Sequence, residues 1–314
     1  MQLKTSLNPA EHWRKELANR IALTVGQQET RATDIPGLIL YRRTSPTAPC
    51  SMTYEPSLTL LAQGRKRVDL GRTSFLYDAS RFLLTSVDLP VVSRIIEASE
   101  PTPLLGLLLR LDMPIVRELI SRDDLHIPEA PAGSPGMAIG KTTVELLTAC
   151  CRLIDLVHSP EDIPFLSSLI QREIIYRILR GSAGARLRAI ATSGEQSNRT
   201  ARAIVWIRDN YAHPLRIEDL ADKAGMGVST FHHHFRALTA MSPLQYQKQL
   251  RLQAARERML VSGLDAATAA FEVGYESPSQ FNREYSRYFG QPPMRDIRTL
   301  RSPGAPAMES VVSR

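Results

Sequence analysis

One short pattern occurs twice in the last third of this chain. The first copy lies in DLADKAGMGVSTFHHHF and the second lies in AAFEVGYESPSQFNREY. The matching positions are Ala221, Gly225, Phe231 and Phe235 in the first copy, and Ala270, Gly274, Phe281 and Tyr285 in the second. Alanine lets two helices approach closely, glycine takes a positive φ at little cost, and aromatic residues four apart hold down one helix face. Each copy therefore predicts a short helix, a tight turn and a second helix.

This succession is that of a helix-turn-helix, whose second helix lies in the major groove of DNA. Two copies about fifty residues apart predict contact with two neighbouring groove segments. The net charge is +7 at pH 7, and residues 198–301 hold 15 Lys and Arg against 10 Asp and Glu, which favours a polyanionic partner. The alternative is that the copies are helical repeats that pack on each other without contacting DNA.

The first recognition helix is predicted over residues 229–238. Its buried stripe is formed by Phe231, Phe235 and Leu238. The opposite face carries Ser229, His232, His233 and Arg236, which we expect to contact base edges or phosphates. The run of three histidines at 232–234 also suggests a metal site. Neighbouring helix positions point about 100° apart, so three in a row do not converge on one ion, and we expect no metal.

The second recognition helix begins at Ser277, which we interpret as an N-cap followed by a proline at the first helical position. Gln280 either completes a capping box or contacts a base. The other outward positions are Ser279, Asn282, Arg283 and Ser286. Arginine suits guanine and asparagine suits adenine, so Arg283 contacts a base or phosphate unless it forms a structural salt bridge. Arg287 is expected to contact a phosphate or nothing.

A long helix over 243–261 is predicted to join the two motifs. It adds positive charge through Lys248, Arg251, Arg256 and Arg258. A supporting helix at 201–212 precedes the first motif. The residue before the first helix of that motif is Arg216 rather than a capping Ser or Thr, so we expect a looser helix start.

The N-terminal part predicts a small β-barrel or sandwich, because short apolar runs recur every eight to ten residues. The expected strands are 38–42, 58–62, 66–70, 74–78, 82–86, 91–98 and 104–111. Gln63-Gly64 and Gly71-Arg72 are predicted as hairpin turns. A short helix from Pro114 to about Ser121 follows. Residues 126–140 predict a linker or exposed loop, and 143–159 and 164–181 predict two amphipathic helices.

The three cysteines indicate neither a disulfide framework nor a zinc site. Cys50 is a reactive sensor thiol or an inert residue. The spacing of Val144, Leu147, Cys151 and Ile154 favours either a dimer seam or packing within the subunit. No apolar run reaches 18 residues and the start is polar, so we expect no membrane span and a cytoplasmic location.

The segment STFHHHFRALTAMSPLQYQKQLRLQAARERML, followed by AAFEVGYESPSQFNREYSRYFGQPP, resembles the DNA-binding domain of AraC-family transcription regulators. The N-terminal half resembles one AraC subgroup through YEPSLTLLAQGRKRVDLG and TSVDLPVV. The resemblance implies an α+β protein with a cupin-like barrel at 20–125 for effector binding, a helical connector at 126–195 with a role in dimerisation, and two helix-turn-helix motifs at 198–301. The seven positions that it implies as DNA contacts are Ser229, His232, His233, Arg236, Ser279, Asn282 and Arg283. Family members often carry arginine where this chain has His233.

The implied partners are double-stranded DNA, RNA polymerase during activation, a small-molecule effector and a second copy of the chain. No cofactor is expected, and no residue is identified as effector-binding. Catalytic cupins bind a metal through barrel histidines, and residues 13–125 contain none, so the reading of an enzyme with an appended binding domain is disfavoured. A DNA-bending or repair protein that borrows the motif is the other alternative. The sequence does not distinguish an activator from a repressor.

Overall fold

The computed structural model describes residues 8–122, 124–128, 133–192 and 194–301. Its N-terminal part contains two antiparallel sheets. One has six strands in the order β1-β2-β9-β4-β7-β10, and the other has four in the order β3-β8-β5-β6. The strands are β1 Thr30–Ala32, β2 Leu38–Arg43, β3 Cys50–Tyr54, β4 Ser57–Gln63, β5 Arg65–Leu70, β6 Thr73–Asp78, β7 Arg81–Thr85, β8 Leu89–Glu97, β9 Leu104–Arg110 and β10 Met137–Lys141. Two facing sheets, rather than one continuous ring, are compatible with the expected cupin-like fold.

The six-stranded sheet is covered on both faces, which explains its apolar sequence. In β4, six successive residues from Ser57 to Ala62 are buried. Alternate side chains of this strand belong to two different cores: Leu58 and Leu60 pack against helices, whereas Leu61 packs toward the second sheet. By contrast, β5 alternates buried and half-buried residues, as expected for a strand with one covered face.

Among the described residues, five helices accompany this sheet: α1 Pro9–Val25, α2 Met113–Ile120, α3 Val144–Asp155, α4 Ile163–Arg180 and α5 Gly184–Ala191. Two short 3-10 turns at Leu156–His158 and Pro160–Asp162 join α3 to α4. Asn8, Asp112 and Thr143 cap α1, α2 and α3 by accepting hydrogen bonds from backbone N–H groups. The helices bury their apolar faces in one cluster with the six-stranded sheet.

All seven expected strands and the helices near 114–121, 143–159 and 164–181 are confirmed within a few residues. One local expectation was wrong: residues 137–141, all but the last of which were expected in a linker, form β10 and pair with β7. Three further elements were not predicted, namely α1 Pro9–Val25, β3 Cys50–Tyr54 and α5 Gly184–Ala191.

The two expected hairpin turns have different outcomes. Leu70 pairs with Thr73 across Gly71, whose φ is 58°, so this hairpin is confirmed. Gly64, with φ of 89°, instead carries the chain from one sheet to the other, because β4 pairs with β7 and β9 whereas β5 pairs with β6 and β8. A Cβ at Gly64 would lie 2.8 Å from Glu97 O and from Leu104 Cβ, so the crossing requires glycine.

The expected dimer seam on α3 faces the interior of the subunit. Leu147, Cys151 and Ile154 are each at most 1% exposed and belong to the core between the helices and the sheet. Burial raises the pKa of the Cys151 thiol to about 11. The seam is therefore used for packing within the subunit, and the dimer interpretation of this stripe was wrong.

Between residues 194 and 301 the structure describes seven helices: α6 Gln196–Asp209, α7 Ile217–Lys223, α8 Val228–Thr239, α9 Pro243–Val261, α10 Ala266–Glu272, α11 Pro278–Phe289 and α12 Pro293–Arg301. Their buried side chains belong to two separate hydrophobic clusters. Helices α6 to α8 and the start of α9 share a cluster with the four-stranded sheet, whereas the end of α9 and helices α10 to α12 form their own. None of the described helices is both long enough and apolar enough to span a membrane.

Candidate nucleic-acid interface

The first motif consists of α7, a turn at Gly225 and α8. Gly225 has φ of 61°. The rings of Phe231 and Phe235 are completely buried, with centroids 5.6 Å apart, and Phe235 meets Tyr246 of α9 edge-on at 5.5 Å. Together with Leu238, also buried, this stripe holds α8 down along one face. The predicted core of the first motif is confirmed.

The opposite face of α8 is directed to solvent. Ser229, His233 and Arg236 are exposed and His232 is half-buried. Arg236 makes no ion pair with any described residue. His234 is half-buried as well, and burial lowers the pKa of its imidazole. The structure thus brings the four expected residues together on one accessible face, while their role in contacting DNA stays a prediction.

The second motif repeats this arrangement with α10, a turn at Gly274 and α11. Phe281 and Tyr285 are completely buried, 5.4 Å apart. Its outward face exposes Ser279, Gln280, Asn282, Arg283 and Arg287. Neither Arg283 nor Arg287 forms an ion pair with a described residue. The alternative of a structural salt bridge at Arg283 is therefore not supported within the described part of the chain. The two arginines line an open cleft of about 670 Å³ with Asn282, Ser286 and the residues at the start of α12.

Gln280 does not complete a capping box. Ser277 caps α11 by accepting a hydrogen bond from the Gln280 backbone N–H at 3.4 Å, as predicted. The Gln280 side chain instead donates to Glu284 Oε1 at 3.3 Å, and Tyr275 donates to the other oxygen of that carboxylate at 2.9 Å. A capping box does occur at the start of α9, where Ser242 and Gln245 bond reciprocally.

The two motifs begin differently. Arg216 provides no side-chain cap for α7, and the looser helix start expected there stays a prediction. Asp265 caps α10 by accepting hydrogen bonds from the N–H groups of Ala267 and Thr268 at 2.9 and 3.0 Å. Because these bonds stabilise the ionised carboxylate, the pKa of Asp265 is lowered. A carboxylate also complements the helix dipole at this end.

Helix α9 spans the predicted residues 243–261 and joins the motifs, but two of its arginines were misinterpreted as surface charge. Arg256 is buried against Asp296. Arg251 donates hydrogen bonds to Tyr211 O, just after α6, and to Gly274 O in the turn of the second motif. Arg258 pairs with Glu272 at the surface. Sequence reasoning missed these internal roles because the acceptors lie far away along the chain.

The N-terminal sheets contact the first motif directly. Asp88, just before β8, is 1% exposed and pairs with Arg208 of α6 at 3.0 Å. Its backbone carbonyl accepts a hydrogen bond from Tyr246 Oη of α9 at 2.8 Å. Gly136 N–H donates to Leu238 O at the end of α8, also at 2.8 Å. These contacts place the segment TSVDLPVV, one of the two that carry the resemblance of the N-terminal half, at the junction between the N-terminal sheets and the C-terminal helices.

Comparison with known proteins finds one family that matches the N-terminal part of the chain and another that matches the C-terminal part. The family described as AraC-type transcriptional regulator N-terminus matches residues 34–186, and the family described as helix-turn-helix domain matches residues 220–298. The HTH-type transcriptional activator RhaS of Yersinia pestis is 25% identical over 154 residues, which cover 48% of this chain and 54% of RhaS. The chain thus matches about half the length of the curated relatives.

The fold as a whole is similar to that of ToxT from Vibrio cholerae. A structure of ToxT with bound unsaturated fatty acid has a TM-score of 0.54 at 9% identity, covering 85% of this chain and 96% of ToxT. A second ToxT structure at 1.65 Å resolution has a TM-score of 0.55 at 8% identity, covering 86% and 98%. Because the two family matches together span residues 34–186 and 220–298, the chain belongs to the AraC family of transcription regulators.

Proposed function

We propose that this protein is a sequence-specific DNA-binding transcription regulator that reads two adjacent major-groove segments with α8 and α11. The observation that carries the proposal is the pair of outward polar faces. Each recognition helix buries its aromatic stripe completely and leaves arginines without ion-pair partners among the described residues on the other side.

The contacts divide into two kinds. Arg283 and Asn282 have the donors and acceptors to pair with guanine and adenine edges, and each good pair contributes roughly 1–3 kcal/mol of discrimination. Ser229, His232, His233, Arg236, Ser279, Gln280 and Arg287 supply further base or phosphate contacts. Phosphate contacts set the register of the protein on the duplex and make affinity fall with salt.

The remaining parts have regulatory roles in this proposal. The proposal assigns residues 20–125 to the effector domain, 126–195 to a connector and 198–301 to the DNA-binding domain. Strand β10 and helices α3 to α5 of this connector pack on the sheet of the effector domain. The likeness in fold to a fatty-acid-bound ToxT supports a small-molecule effector, which would act by stabilising one arrangement of the two parts. The similarity to the activator RhaS supports activation through contact with RNA polymerase. We further propose that the protein acts in the cytoplasm as a homodimer and is not an enzyme.

Selection of bound duplexes from a random pool tests the proposal. The full chain is incubated with the pool at physiological salt, and retained DNA is sequenced over several rounds. A recovered motif with two short specific blocks supports the proposed function. Retention of all sequences equally, with a steep salt dependence, would identify a general DNA binder and contradict it. Arg202→Ala is a suitable charge control, since Arg202 is exposed on α6 and belongs to neither recognition helix.

A further inference from the structure

Arg251 connects the two motifs through backbone carbonyls. It lies within α9 and donates from Nε to Tyr211 O at 2.7 Å and from Nη2 to Ala212 O and His213 O at 3.2 and 3.0 Å. These three carbonyls follow α6, the supporting helix of the first motif. From Nη1, the same guanidinium donates to Gly274 O at 2.9 Å, in the turn of the second motif.

The guanidinium is suited to this position because its N–H groups lie in one rigid plane. All three nitrogens are engaged by carbonyl oxygens, so Arg251 does not have a free fork to offer to a phosphate. Gln247, one helical turn earlier, reinforces the first side by donating to Tyr211 O and His213 O at 3.0 and 2.7 Å. The side chain of a lysine cannot bridge several carbonyls in this planar way.

The turn of the second motif lies in close contact with the segment 211–213 that follows α6. A Cβ at Gly274 would lie 2.0 Å from Ala212 O, and φ at Gly274 is 88°. At the matching glycine of the first motif, Gly225, the nearest atom to a Cβ would be Arg199 Nη1 at 3.5 Å. Both glycines have positive φ, but only Gly274 also permits a close approach between the motifs.

We propose that Arg251 and Gly274 form a joint that fixes the orientation of α11 relative to α8, and that this joint sets the spacing between DNA half-sites that the protein accepts. Arg251 is then a positioning residue that contacts no base itself. The part concerning DNA rests on the proposed function. The end of α9 also packs against α10 to α12. The joint adds a second attachment, between the turn of the second motif and the segment that follows α6.

Two measurements on the full chain test the joint. In the first, spin labels at Thr230→Cys and Ser279→Cys, in a chain carrying Cys50→Ser, report the distance distribution between α8 and α11 by double electron–electron resonance. We expect one narrow distribution for the parent, and a distribution broadened at least twofold in Arg251→Lys and in Gly274→Ala. Gly225→Ala, which introduces the same backbone strain without the close approach, and Arg202→Ala should keep the parental width.

In the second measurement, the same variants select DNA from the random pool. Arg251→Lys and Gly274→Ala should recover the parental blocks at several spacings and lose about tenfold in affinity for the parental spacing, the effect of one lost charge-assisted hydrogen bond. Unchanged distance widths in both variants overturn the joint, whatever the DNA result. Broadened widths with a parent that selects no sequence support the joint and reject the proposed function instead. Broadened widths with unchanged spacing overturn the link to half-site selection.

Discussion

Arg256 of α9 and Asp296 of α12 form a bidentate ion pair beside the second motif. Nε and Nη2 of the arginine lie 2.8 and 3.0 Å from the two carboxylate oxygens. Both side chains are less than 10% exposed, at 9% and 7%. Tyr285 Oη donates to the same carboxylate at 2.8 Å, and the Arg256 guanidinium lies 4.3 Å from the centroid of the Phe289 ring. The pair thus ties α9, α11 and α12 together and holds the second recognition helix in place.

Asp296→Asn should therefore destabilise the second motif. Loss of one partner leaves the other charge buried and unpaired, which costs about 3–5 kcal/mol. Urea unfolding of the full chain, followed by circular dichroism, measures the change. The control is Arg258→Ala, which removes a half-exposed pair with Glu272 and should cost less than about 1 kcal/mol. Equal losses of unfolding free energy in the two variants would show that burial of the Arg256–Asp296 pair adds nothing to stability.

Ala240→Gly should stabilise the first motif. Ala240 ends α8 in the left-handed conformation with φ of 59°, whereas the matching residue of the second motif is Gly290 with φ of 79°. A non-glycine residue in this region is strained by about 1–2 kcal/mol, part of which is offset by the greater entropy of glycine in the unfolded chain. We expect a net gain of about 0.5–1 kcal/mol in thermal or urea unfolding. The reverse change, Gly290→Ala, should be destabilising, and a loss of stability in Ala240→Gly would contradict this interpretation.

The junction at Asp88 should give a distinctive pH dependence. Burial raises the pKa of this carboxyl above its ordinary value, although Arg208 opposes the shift. Since the folded-state pKa exceeds the unfolded value of about 4, the contribution of Asp88 to stability is complete below pH 4 and is lost as pH rises through the folded pKa. The free energy of unfolding of the parent minus that of Asp88→Asn should accordingly decrease from pH 4 toward pH 7.

Asp78 provides a control of opposite sign for this pH measurement. A hydrogen bond from Ser80 lowers the pKa of Asp78, so its contribution is present above the unfolded value and is lost as pH falls through the folded one. The parent minus Asp78→Asn difference should thus decrease on acidification below about pH 4. For Asp88, the free energies of unfolding of the parent and of Asp88→Asn should not run parallel with pH. Parallel curves, or a difference that grows with pH, would contradict the raised pKa of Asp88.

Arg283 and Arg287 should behave differently although they share one helix. If Arg283 pairs with a guanine, Arg283→Ala costs roughly 1–3 kcal/mol and relaxes the preference at one base position. Arg287→Ala should weaken binding to all sequences equally and reduce the slope of log affinity against log salt by about one. Fluorescence anisotropy on a selected site and its single-base variants separates these outcomes. A uniform loss in Arg283→Ala would reassign this residue to a phosphate.

The sequence predicted the elements whose periodicity is local. The stripe of Phe231 and Phe235, its counterpart in the second motif and the ends of α9 all follow from helical spacing and caps, and the structure confirms them. Helix α1 was missed although Asn8, followed by Pro9, is a capping signal and Leu17, Ile21 and Val25 are spaced four apart. The polar residues that surround this stripe masked it.

Other features depend on contacts that no local pattern contains. Residues 137–141 are short and follow a segment rich in proline and glycine, and only pairing with β7 makes them a strand. Arg251 and Arg256 look like surface charge in α9 because their acceptors, such as Ala212 and Asp296, lie about forty residues away. The side chain of Gln280 could either complete a capping box or bond to Glu284. Which of the two occurs likewise depends on side-chain positions that the local sequence does not determine. The outward faces of α8 and α11 were predictable, whereas the joint that orients them was not.

Hydroxyl-radical footprinting of the full chain on a selected DNA site tests the central claim most directly. If α8 and α11 enter successive major-groove segments, the protected positions should form two blocks on one face of the duplex, about 10 base pairs apart. Arg283→Ala and Arg236→Ala should each weaken only the block read by their own helix. A single protected block, or two blocks on opposite faces of the duplex, would contradict the account.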